Sequence, residues 1–311
     1  MKLFRRTYTG KAMGTEVNLM IVTNDASAGD EALRRAVRDI EETEQALSRF
    51  REDSALSVLN REGRLRLDAL NREGHLLAGW RLMVAIKAAA DAYEWSEGLL
   101  DPRVIGSLEA FGYAKSLPRE EICSVTPAVA LEPVNMGAWV DEATATITLP
   151  KGVRLDLAGV GKALGIGWAA HQLAGHEGLL VDVGGDVVAL GCDEQGEPWK
   201  VAVQHEKMVG EFSGHALAVA TSTTALRAWK ANGRRAHHLI DPRTGAPSQG
   251  ELLYATVAAP TILQADLAAK LLIIGGERMT ESLDGRLQAV LTDWHGRTRS
   301  SFDGQPMEVV A

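Results

Sequence analysis

The sequence predicts an α+β fold in which mixed or antiparallel sheets are flanked by helices. From Thr144 onward, short strand-like segments follow one another with only two helical segments between them. Such runs of strands favour α+β over a doubly wound parallel sheet, in which strands and helices alternate. The N-terminal part instead carries two long segments with apolar residues at helical spacing. With 311 residues, 46% of them hydrophobic, the chain can bury a sizeable core without disulfides or structural metal.

The N-terminal part of the chain predicts one strand and two helices. Residues 15–22 alternate between polar and apolar, which predicts a strand with one buried face. Apolar residues at helical spacing predict an amphipathic helix over 30–47 and a second helix over 76–93. Residues 98–120 contain Gly, Pro and aromatic residues without a clear period and predict a loop with a short helix. The weakly patterned residues 114–133 predict a link to the next region.

The region after Thr144 predicts six strands, because short β-branched and aromatic runs are separated by turn residues. In chain order, the predicted strands are 146–149, 179–183, 199–203, 216–220, 254–258 and 287–291. Two helices are predicted between them, over 162–173 and 261–274. The sequence shows no repeat of about 20–50 residues and no low-complexity segment, which argues against a repeat architecture.

The charge balance argues against a nucleic-acid partner. The formal net charge is -8, whereas a nucleic-acid binder usually shows a basic surplus or a basic stripe. The one short basic cluster, Arg234 and Arg235, lies beside histidines in a Gly-containing loop. It is either a solvated turn or a phosphate contact.

The N-terminal residues and the cysteines indicate the cellular compartment in which the protein is expected. Residues 7–12 are polar where a signal peptide needs an apolar stretch of about 7–15 residues. The apolar run 271–274 is far shorter than the roughly 20 residues that span a bilayer. Cys123 and Cys192 are far apart and form no paired motif, which fits a reducing compartment. We therefore expect a cytoplasmic protein as the sequence stands, or a periplasmic one if a leader was removed.

The first candidate site is the segment Asp156-Leu-Ala-Gly-Val-Gly-Lys162, which follows an apolar run and opens a predicted helix. Its glycines allow a ligand to approach the backbone, and a helix N-terminus offers free N–H groups to an anion. The spacing matches neither a Walker A loop nor G-x-G-x-x-G. The segment is therefore either a phosphate site with Lys162 beside it, or a tight turn followed by a surface lysine.

The second candidate site is Gly184-Gly185-Asp186, which lies between two apolar strand-like runs. A hairpin turn explains the glycines fully. A ligand that lies against the bare backbone is the functional alternative.

The third candidate site combines Ala220-Thr-Ser222 with His237, His238 and the turn Asp241-Pro-Arg-Thr-Gly245. His238 can act as a base or proton carrier, because an imidazole titrates near neutrality. The structural alternative is a buried or surface histidine without a chemical role.

The fourth candidate site is Asp266 with Lys270, which are four residues apart and so share one face of an apolar helix. An ordinary intrahelical ion pair explains both residues. Alternatively, the carboxylate holds a hard cation through oxygen.

Taken together and in this order, these segments resemble the ApbE family of FAD-dependent flavin transferases. The resemblance covers nearly the whole chain and does not rest on one motif. The matching segments are Met13-Gly-Thr15, residues 47–60, Leu100-Asp-Pro102, Phe111-Gly112, Asp156-Leu-Ala-Gly159 with Lys162, Gly184-Gly185-Asp186, Ala220-Thr-Ser222, His238 to Gly245, Ala259-Pro-Thr261 and Ala265-Asp266.

The resemblance implies one domain over residues 1–311, with the flavin in a cleft between two lobes. It implies transfer of FMN from FAD to a Thr or Ser hydroxyl of an acceptor protein, with release of AMP. The alternatives are an FAD-binding protein without transfer and an FAD pyrophosphatase. The resemblance implies catalytic roles for His238, Asp266 and Lys162 and a Mg²⁺ site at Asp266 and the Gly159 carbonyl. The residues it implies for FAD binding are Met13, Asp101, Asp156, Gly159, Lys162, Thr221 and Ser222.

One residue and one segment of this chain depart from the family pattern. Family members usually carry a threonine, as a second metal ligand, where this chain has Lys270. An ammonium repels Mg²⁺, so Lys270 makes the metal dependence of this chain an open question and offers a replacement for the cation. The family often shows Gly-Tyr-Ala-Val-Asp after the lysine, whereas this chain has Ala163-Leu-Gly-Ile-Gly167. We therefore expect a different pocket floor.

Overall fold

The computed structural model describes residues 3–66, 76–114, 122, 129–283, 287–302 and 305–307. Its α-helices are α1 Ala26–Leu47, α2 Ala55–Glu62, α3 Leu76–Trp95, α4 Ile105–Ala110, α5 Ala158–Leu173 and α6 Ile262–Gly275. Short 3-10 helices cover Gly137–Trp139 and Glu277–Ser282. The strands are β1 Phe4–Ala12, β2 Thr15–Thr23, β3 Arg64–Arg66, β4 Val140–Asp141, β5 Thr146–Thr148, β6 Gly178–Val183, β7 Asp186–Gly191, β8 Trp199–Gln204, β9 Met208–Gly214, β10 Ala216–Thr223, β11 Ala228–Ala231, β12 Arg234–His237, β13 Ile240–Asp241, β14 Ala246–Pro247, β15 Leu252–Ala258, β16 Gln288–Asp293, β17 Thr298–Phe302 and β18 Gln305–Met307.

A nine-stranded sheet organises the fold. Its strand order is β1-β2-β6-β7-β10-β15-β16-β17-β18, and each neighbouring pair runs antiparallel. Smaller sheets pair β3 with β5 and β4, β8 with β9, β11 with β12, and β13 with β14. The α+β prediction with antiparallel sheets is therefore confirmed.

The large sheet is covered on its two faces by different elements. On one face, Leu19 and Ile21 of β2 pack against α1 and α5 around the buried Ile40 and Ile166, while α6 covers β15 and β16. On the other face, the β8–β9 hairpin packs on the sheet through Trp199 and other apolar side chains. The alternation predicted over 15–22 therefore places one face of β2 under the helices.

Capping side chains set the ends of the predicted helices. Helix α1 begins at Ala26, four residues before the predicted start, because the Asp25 carboxylate accepts hydrogen bonds from the amides of Ser27 and Ala28 at 2.9 and 3.1 Å. Such a cap contributes about 1 kcal/mol. Helix α6 begins after Thr261, whose hydroxyl accepts from the Gln264 amide at 3.2 Å, and this agrees with the predicted boundary.

The strand predictions match β2, β5, β6, β8, β10, β15 and β16, and the predicted short helix in the loop is α4. Helix α5 begins at Ala158, four residues before the predicted start. Helix α2 was not predicted, although the Ser54 hydroxyl caps it by accepting from the Ser57 amide. Much of the segment predicted as a link, 114–133, lies outside the described residues, as does Cys123, whereas Cys192 is a free, partly buried thiol. In the described parts of the chain, no helix combines the length and apolar character needed to cross a membrane.

Candidate active site

A cavity of about 330 Å³ lies where the N-terminus of α5 and one face of α6 meet the β6–β7 turn and the C-terminal end of β10. This volume is within the range of small-molecule sites. All but one of the predicted site residues line it. The predicted residues in its wall are Asp101, Asp156, Gly159, Lys162, Thr221, Ser222, His238 and Asp266.

Met13 is the predicted residue that does not line this cavity among the described residues. It occupies the tight β1–β2 turn with a positive φ of 53°, followed by Gly14 at 71°, and its amide donates to a Glu44 carboxylate oxygen at 2.9 Å. Its side chain packs into the apolar core between the sheet and helices α1 and α5, beside Gly165. Gly14 and Thr15 line the cavity instead. The Met13-Gly-Thr15 segment therefore contributes to the cavity through Gly14 and Thr15 and not through the Met13 side chain.

The N-terminus of α5 opens into the cavity through Ala158, Gly159 and Val160. The N-cap residue Leu157 provides no side-chain hydrogen bond to the helix. The Asp156 carboxylate accepts from the Ala158 amide at 2.8 Å and is paired with Arg49 at 2.8 Å. The positive end of the helix is therefore directed into the cavity, where it would favour an anion.

Lys162, which is partly buried, and the fully buried Asp186 form an ion pair at 2.6 Å at this end of the cavity. Asp186 is completely buried, and its other oxygen accepts from the Thr221 amide at 3.1 Å. Burial lowers the pKa of Lys162, but the charges of Asp186 and Asp266 outweigh it, so the pKa is raised above 10.5. Burial raises the pKa of Asp186, and the charge of Lys162 opposes that shift. Lys162 is therefore positively charged, and its position is fixed by Asp186 of β7, which is itself held by the Thr221 amide of β10.

Helix α6 contributes a second carboxylate–ammonium pair. The Lys270 ammonium contacts Oδ1 of Asp266, one turn earlier, and both side chains line the cavity. Only 2% of the Asp266 side chain and 14% of the Lys270 side chain are exposed. Oδ2 of Asp266 is buried and has no hydrogen-bond partner in the described structure. The ion-pair interpretation of this motif is confirmed, and the pair faces the cavity instead of solvent.

His238 lies beside these charges with an imidazole that is neutral at about pH 7. Burial lowers its pKa from 6.5 to about 3, and the charges of Arg227, His237 and Lys270 act in the same direction. Its Nδ1 atom is buried and has no hydrogen-bond partner among the described residues. The ring therefore has a nitrogen free to accept a proton, but a pKa of about 3 makes it a weak base; proton transfer requires the negative charge of a bound diphosphate, which raises the pKa of the ring. The neighbouring His237 is structural, since its Nε2 contacts the Ser248 carbonyl at 2.9 Å.

The Asp101 carboxylate is engaged by its own loop. It accepts from the Arg103 amide at 2.8 Å and pairs with the Arg103 guanidinium at 2.6 Å, and its side chain is 1% exposed. Asp101 therefore fixes the shape of this cavity wall.

Sequence reasoning missed several residues of the site. Arg227 lines the cavity and lies in no recognisable motif. Phe50 and Tyr113 also line it, with ring centroids 5.7 Å apart and the Arg49 guanidinium 4.1 Å from the Phe50 centroid. Phe50 is 46% exposed, and a large exposed aromatic residue at a cavity is a structural signal of a binding surface that the sequence alone does not show.

The segment after Lys162 does not form the pocket floor, contrary to our expectation. Ala163 and Gly165 are buried in α5, and a side chain at Gly165 would meet Met13 and Thr43. These positions face α1 instead of the cavity because α5 turns them away from Lys162. The altered residues therefore change the packing of α5 on α1.

A chain of polar side chains runs from the cavity to the opposite side of the sheet. The hydroxyl of Thr221 contacts that of Thr256 at 2.8 Å, and Thr256 contacts Nε2 of His205 at 2.9 Å. Nδ1 of His205 contacts the Thr292 hydroxyl at 2.6 Å, and the ring stacks on Tyr254 with centroids 4.7 Å apart. These contacts fix the Thr221 side chain from the side of the sheet opposite the cavity.

His205 is expected to make stability fall as pH is lowered. Burial lowers its pKa from 6.5 to about 4, so between these values the unfolded chain binds a proton that the folded chain excludes. The stability contribution is complete above the unfolded pKa and is lost as pH falls toward the folded pKa. His205→Gln keeps hydrogen-bonding atoms between the threonines but cannot titrate. Its deficit in unfolding free energy should shrink by about 1 kcal/mol from about pH 7 to about pH 5, allowing for partial exposure.

Urea unfolding at the two pH values measures this difference. His215→Gln is the matched control, because it removes an exposed imidazole instead of a buried one. It should follow the wild type at both values. A constant gap between wild type and His205→Gln would contradict the prediction.

The sequence model of the ApbE family matches residues 13–291. Proteins named FAD:protein FMN transferase are similar to this chain. The one from Haemophilus influenzae is 27% identical over 293 residues, which cover 88% of this chain and 82% of that protein. The one from Escherichia coli is 28% identical over 299 residues, with 88% and 79% covered.

Solved structures share the fold. The apo form of the flavinyl transferase ApbE from Pseudomonas stutzeri has a TM-score of 0.77 at 20% identity, with 99% of each chain covered. The ApbE protein from Thermotoga maritima has a TM-score of 0.76 at 20% identity, with 96% of this chain and 97% of that chain covered. With a family match that spans the cavity residues from Gly14 to Ile274, the chain belongs to the ApbE family.

Proposed function

We propose that this chain transfers FMN from FAD to a threonine or serine hydroxyl of an acceptor protein and releases AMP. The observation that carries the proposal is the convergence of Lys162, the α5 N-terminus and the neutral His238 on one cavity. Its relatives named FAD:protein FMN transferase support the same reaction.

The cavity wall is suited to a diphosphate. Lys162, Arg227 and Lys270 supply three positive charges, against the carboxylates of Asp186 and Asp266. The other two carboxylates of the wall, Asp101 and Asp156, are each neutralised by a paired arginine. The surplus positive charge and the α5 N-terminus favour phosphate oxygens. The aromatic rings of Phe50 and Tyr113, tilted by 51° to each other, offer apolar faces against which the ring system of a flavin can pack.

The proposed step breaks one bond and forms one. The acceptor oxygen attacks the phosphorus on the FMN side of the diphosphate and forms a phosphoester. The bond from that phosphorus to the bridging oxygen breaks, and AMP leaves with the bridging oxygen. His238 accepts the hydroxyl proton through a ring nitrogen, while Lys162 stabilises the charge on the phosphate oxygens. Such transfers depend mainly on positioning and on fixed charge.

The family resemblance implies Mg²⁺ against Asp266 and the Gly159 carbonyl, but the residues of this chain do not fit that ion. Oδ2 of Asp266 is the one oxygen of that carboxylate without a partner among the described residues, and the Lys270 ammonium already contacts Oδ1. A divalent ion on Oδ2 would lie beside that ammonium and be repelled by it. No step of the proposed reaction is therefore assigned to a metal.

The proposed function is tested with purified protein, FAD and a peptide that carries one threonine from a flavinylated subunit. We expect one AMP released for each peptide that gains the mass of FMN, because the two products come from one bond exchange. Chromatography quantifies AMP, and mass spectrometry quantifies the labelled peptide.

The same peptide with valine in place of the threonine is the matched control and should stay unlabelled. AMP without labelled peptide would support a pyrophosphatase instead. FAD binding with neither product would support a binding protein without transfer.

A further inference from the structure

We propose that Lys270 is the resident cation of this cavity: its ammonium takes the place of a divalent metal ion against the phosphate oxygens, so that the chain processes FAD without a metal. This inference rests on the proposed function and names the group that neutralises the phosphate.

Lys270 lies on a helix that is otherwise almost entirely buried. Leu267, Ala268, Ala269, Leu271 and Leu272 surround it in sequence, and each of them is buried. The desolvation cost of an ammonium in such a setting can exceed the attraction within its ion pair, and apolar residues in place of a buried ion pair are often at least as stable. The pair with Asp266 is therefore poorly explained by stability alone. Both side chains of the pair line the cavity, where a bound ligand would contact them.

Each carboxylate that a metal would need is already paired with a lysine, and of their oxygens only Oδ2 of Asp266 lacks a partner among the described residues. Oδ1 of Asp266 contacts Lys270, and Asp186 holds Lys162 and the Thr221 amide. Mg²⁺ requires near-octahedral oxygen ligands, usually one or two carboxylates with several waters. In the described part of the chain, no group of three or more His, Cys, Asp and Glu side chains converges in a way that could hold a metal.

The charge of Lys270 reaches the other polar groups of the site. Burial is the largest influence on the pKa of each group: it raises the pKa of Asp186 and lowers the pKa of His238. The positive charge of Lys270 lowers the pKa of both groups. Lys270 therefore lies within electrostatic range of the proton acceptor and of the partner of Lys162. A cation that stabilises a phosphate during transfer has to occupy such a position.

Metal dependence and metal binding together test this proposal. The wild type, Lys270→Thr and the matched surface control Lys200→Thr are freed of metal with EDTA and desalted. The first measurement is Mn²⁺ binding, followed by the electron paramagnetic resonance signal of free Mn²⁺. The second is AMP release from FAD with acceptor peptide, in excess EDTA and in excess Mg²⁺. Threonine is chosen because it removes the ammonium and places a hydroxyl oxygen beside Asp266.

We expect wild type and Lys200→Thr to bind no Mn²⁺ at the cavity and to release AMP at rates that agree within about two-fold in EDTA and Mg²⁺. Lys270→Thr should bind one Mn²⁺ and lose about 100-fold of its rate in EDTA, with recovery in Mg²⁺. Lys270→Met removes the charge without adding an oxygen and should stay slow under both conditions.

Stoichiometric Mn²⁺ binding by the wild type, with loss of its AMP release in EDTA, would overturn the proposal. This arm needs no variant, so a variant that fails to fold leaves the test intact. If no condition yields AMP or labelled peptide, the proposed function fails. Mn²⁺ binding then decides the role of Lys270 separately: binding by the wild type contradicts it, and binding by Lys270→Thr alone supports it.

Discussion

Replacing Lys162 with methionine is expected to lower FMN transfer by about 100- to 1,000-fold, the loss typical of removing one preorganised donor to a developing negative charge. Lys162 is held at 2.6 Å from the fully buried Asp186, so its ammonium does not need to reorganise when a phosphate binds. Methionine keeps most of the length of the side chain but carries no charge. FAD affinity should weaken as well, because the ammonium also attracts the diphosphate before the reaction.

The Lys162→Met variant has a second effect that has to be separated from the first. It leaves Asp186 as an unpaired buried carboxylate, and the loss of one partner of such a pair costs about 3–5 kcal/mol of stability. The double variant Lys162→Met/Asp186→Asn removes that charge and keeps an oxygen for the Thr221 amide, which donates to Oδ1 of Asp186 at 3.1 Å. It should recover most of the stability and none of the transfer.

Urea unfolding and rates of peptide labelling measure the two effects. Asp186→Asn alone shows how far the lysine depends on its partner for position. If the double variant transferred FMN at the wild-type rate, Lys162 would have only a structural role.

The sequence determines the fold class through patterns that depend on one segment at a time. Alternation over 15–22 predicts β2 because one face of the sheet is buried under α1 and α5. The short strands β11 to β14 were not predicted, since each has two to four residues and its pairing depends on a partner fixed by the rest of the fold. Helix α5 begins before its predicted start because the Asp156 carboxylate accepts a hydrogen bond from the Ala158 amide. In the sequence, the aspartate and the glycines of this segment are equally typical of a turn.

The candidate site was predicted to a similar extent and for the same reason. Glycine-rich turns and a histidine before a polar loop are local signals, and the residues they indicated line one cavity. The pairing of Lys162 with Asp186 joins residues from different elements, so no spacing in the sequence reveals it. Arg227 lies in no motif, and its role comes only from its position in the cavity wall.

Replacing His238 with glutamine is expected to lower FMN transfer by about 100- to 10,000-fold, the range for loss of a general base. Glutamine can form hydrogen bonds at this position but cannot accept the proton of the acceptor hydroxyl. FAD affinity should change little, because the neutral imidazole adds no charge to the diphosphate site. Flavin fluorescence measures binding, and peptide labelling measures transfer. His215→Gln, at an exposed histidine, is the control and should label at the wild-type rate.

The pH dependence of the wild type distinguishes a buried, neutral His238 from a solvated one, and rescue by imidazole distinguishes a base from a structural histidine. The pKa of His238 in the free protein is lowered to about 3, so the ring is already neutral throughout the range from about pH 5 to about pH 8. Since kcat/KM reports groups of the free enzyme, it should show no acidic limb from His238 in this range, whereas a solvated imidazole would produce one near its ordinary pKa of about 6.5. Added imidazole should partly restore transfer to His238→Ala, because a diffusible base can occupy the vacated space. If FAD binding and transfer were lost together in His238→Gln, and imidazole restored neither, the residue would serve the architecture of the cavity instead of the proton transfer.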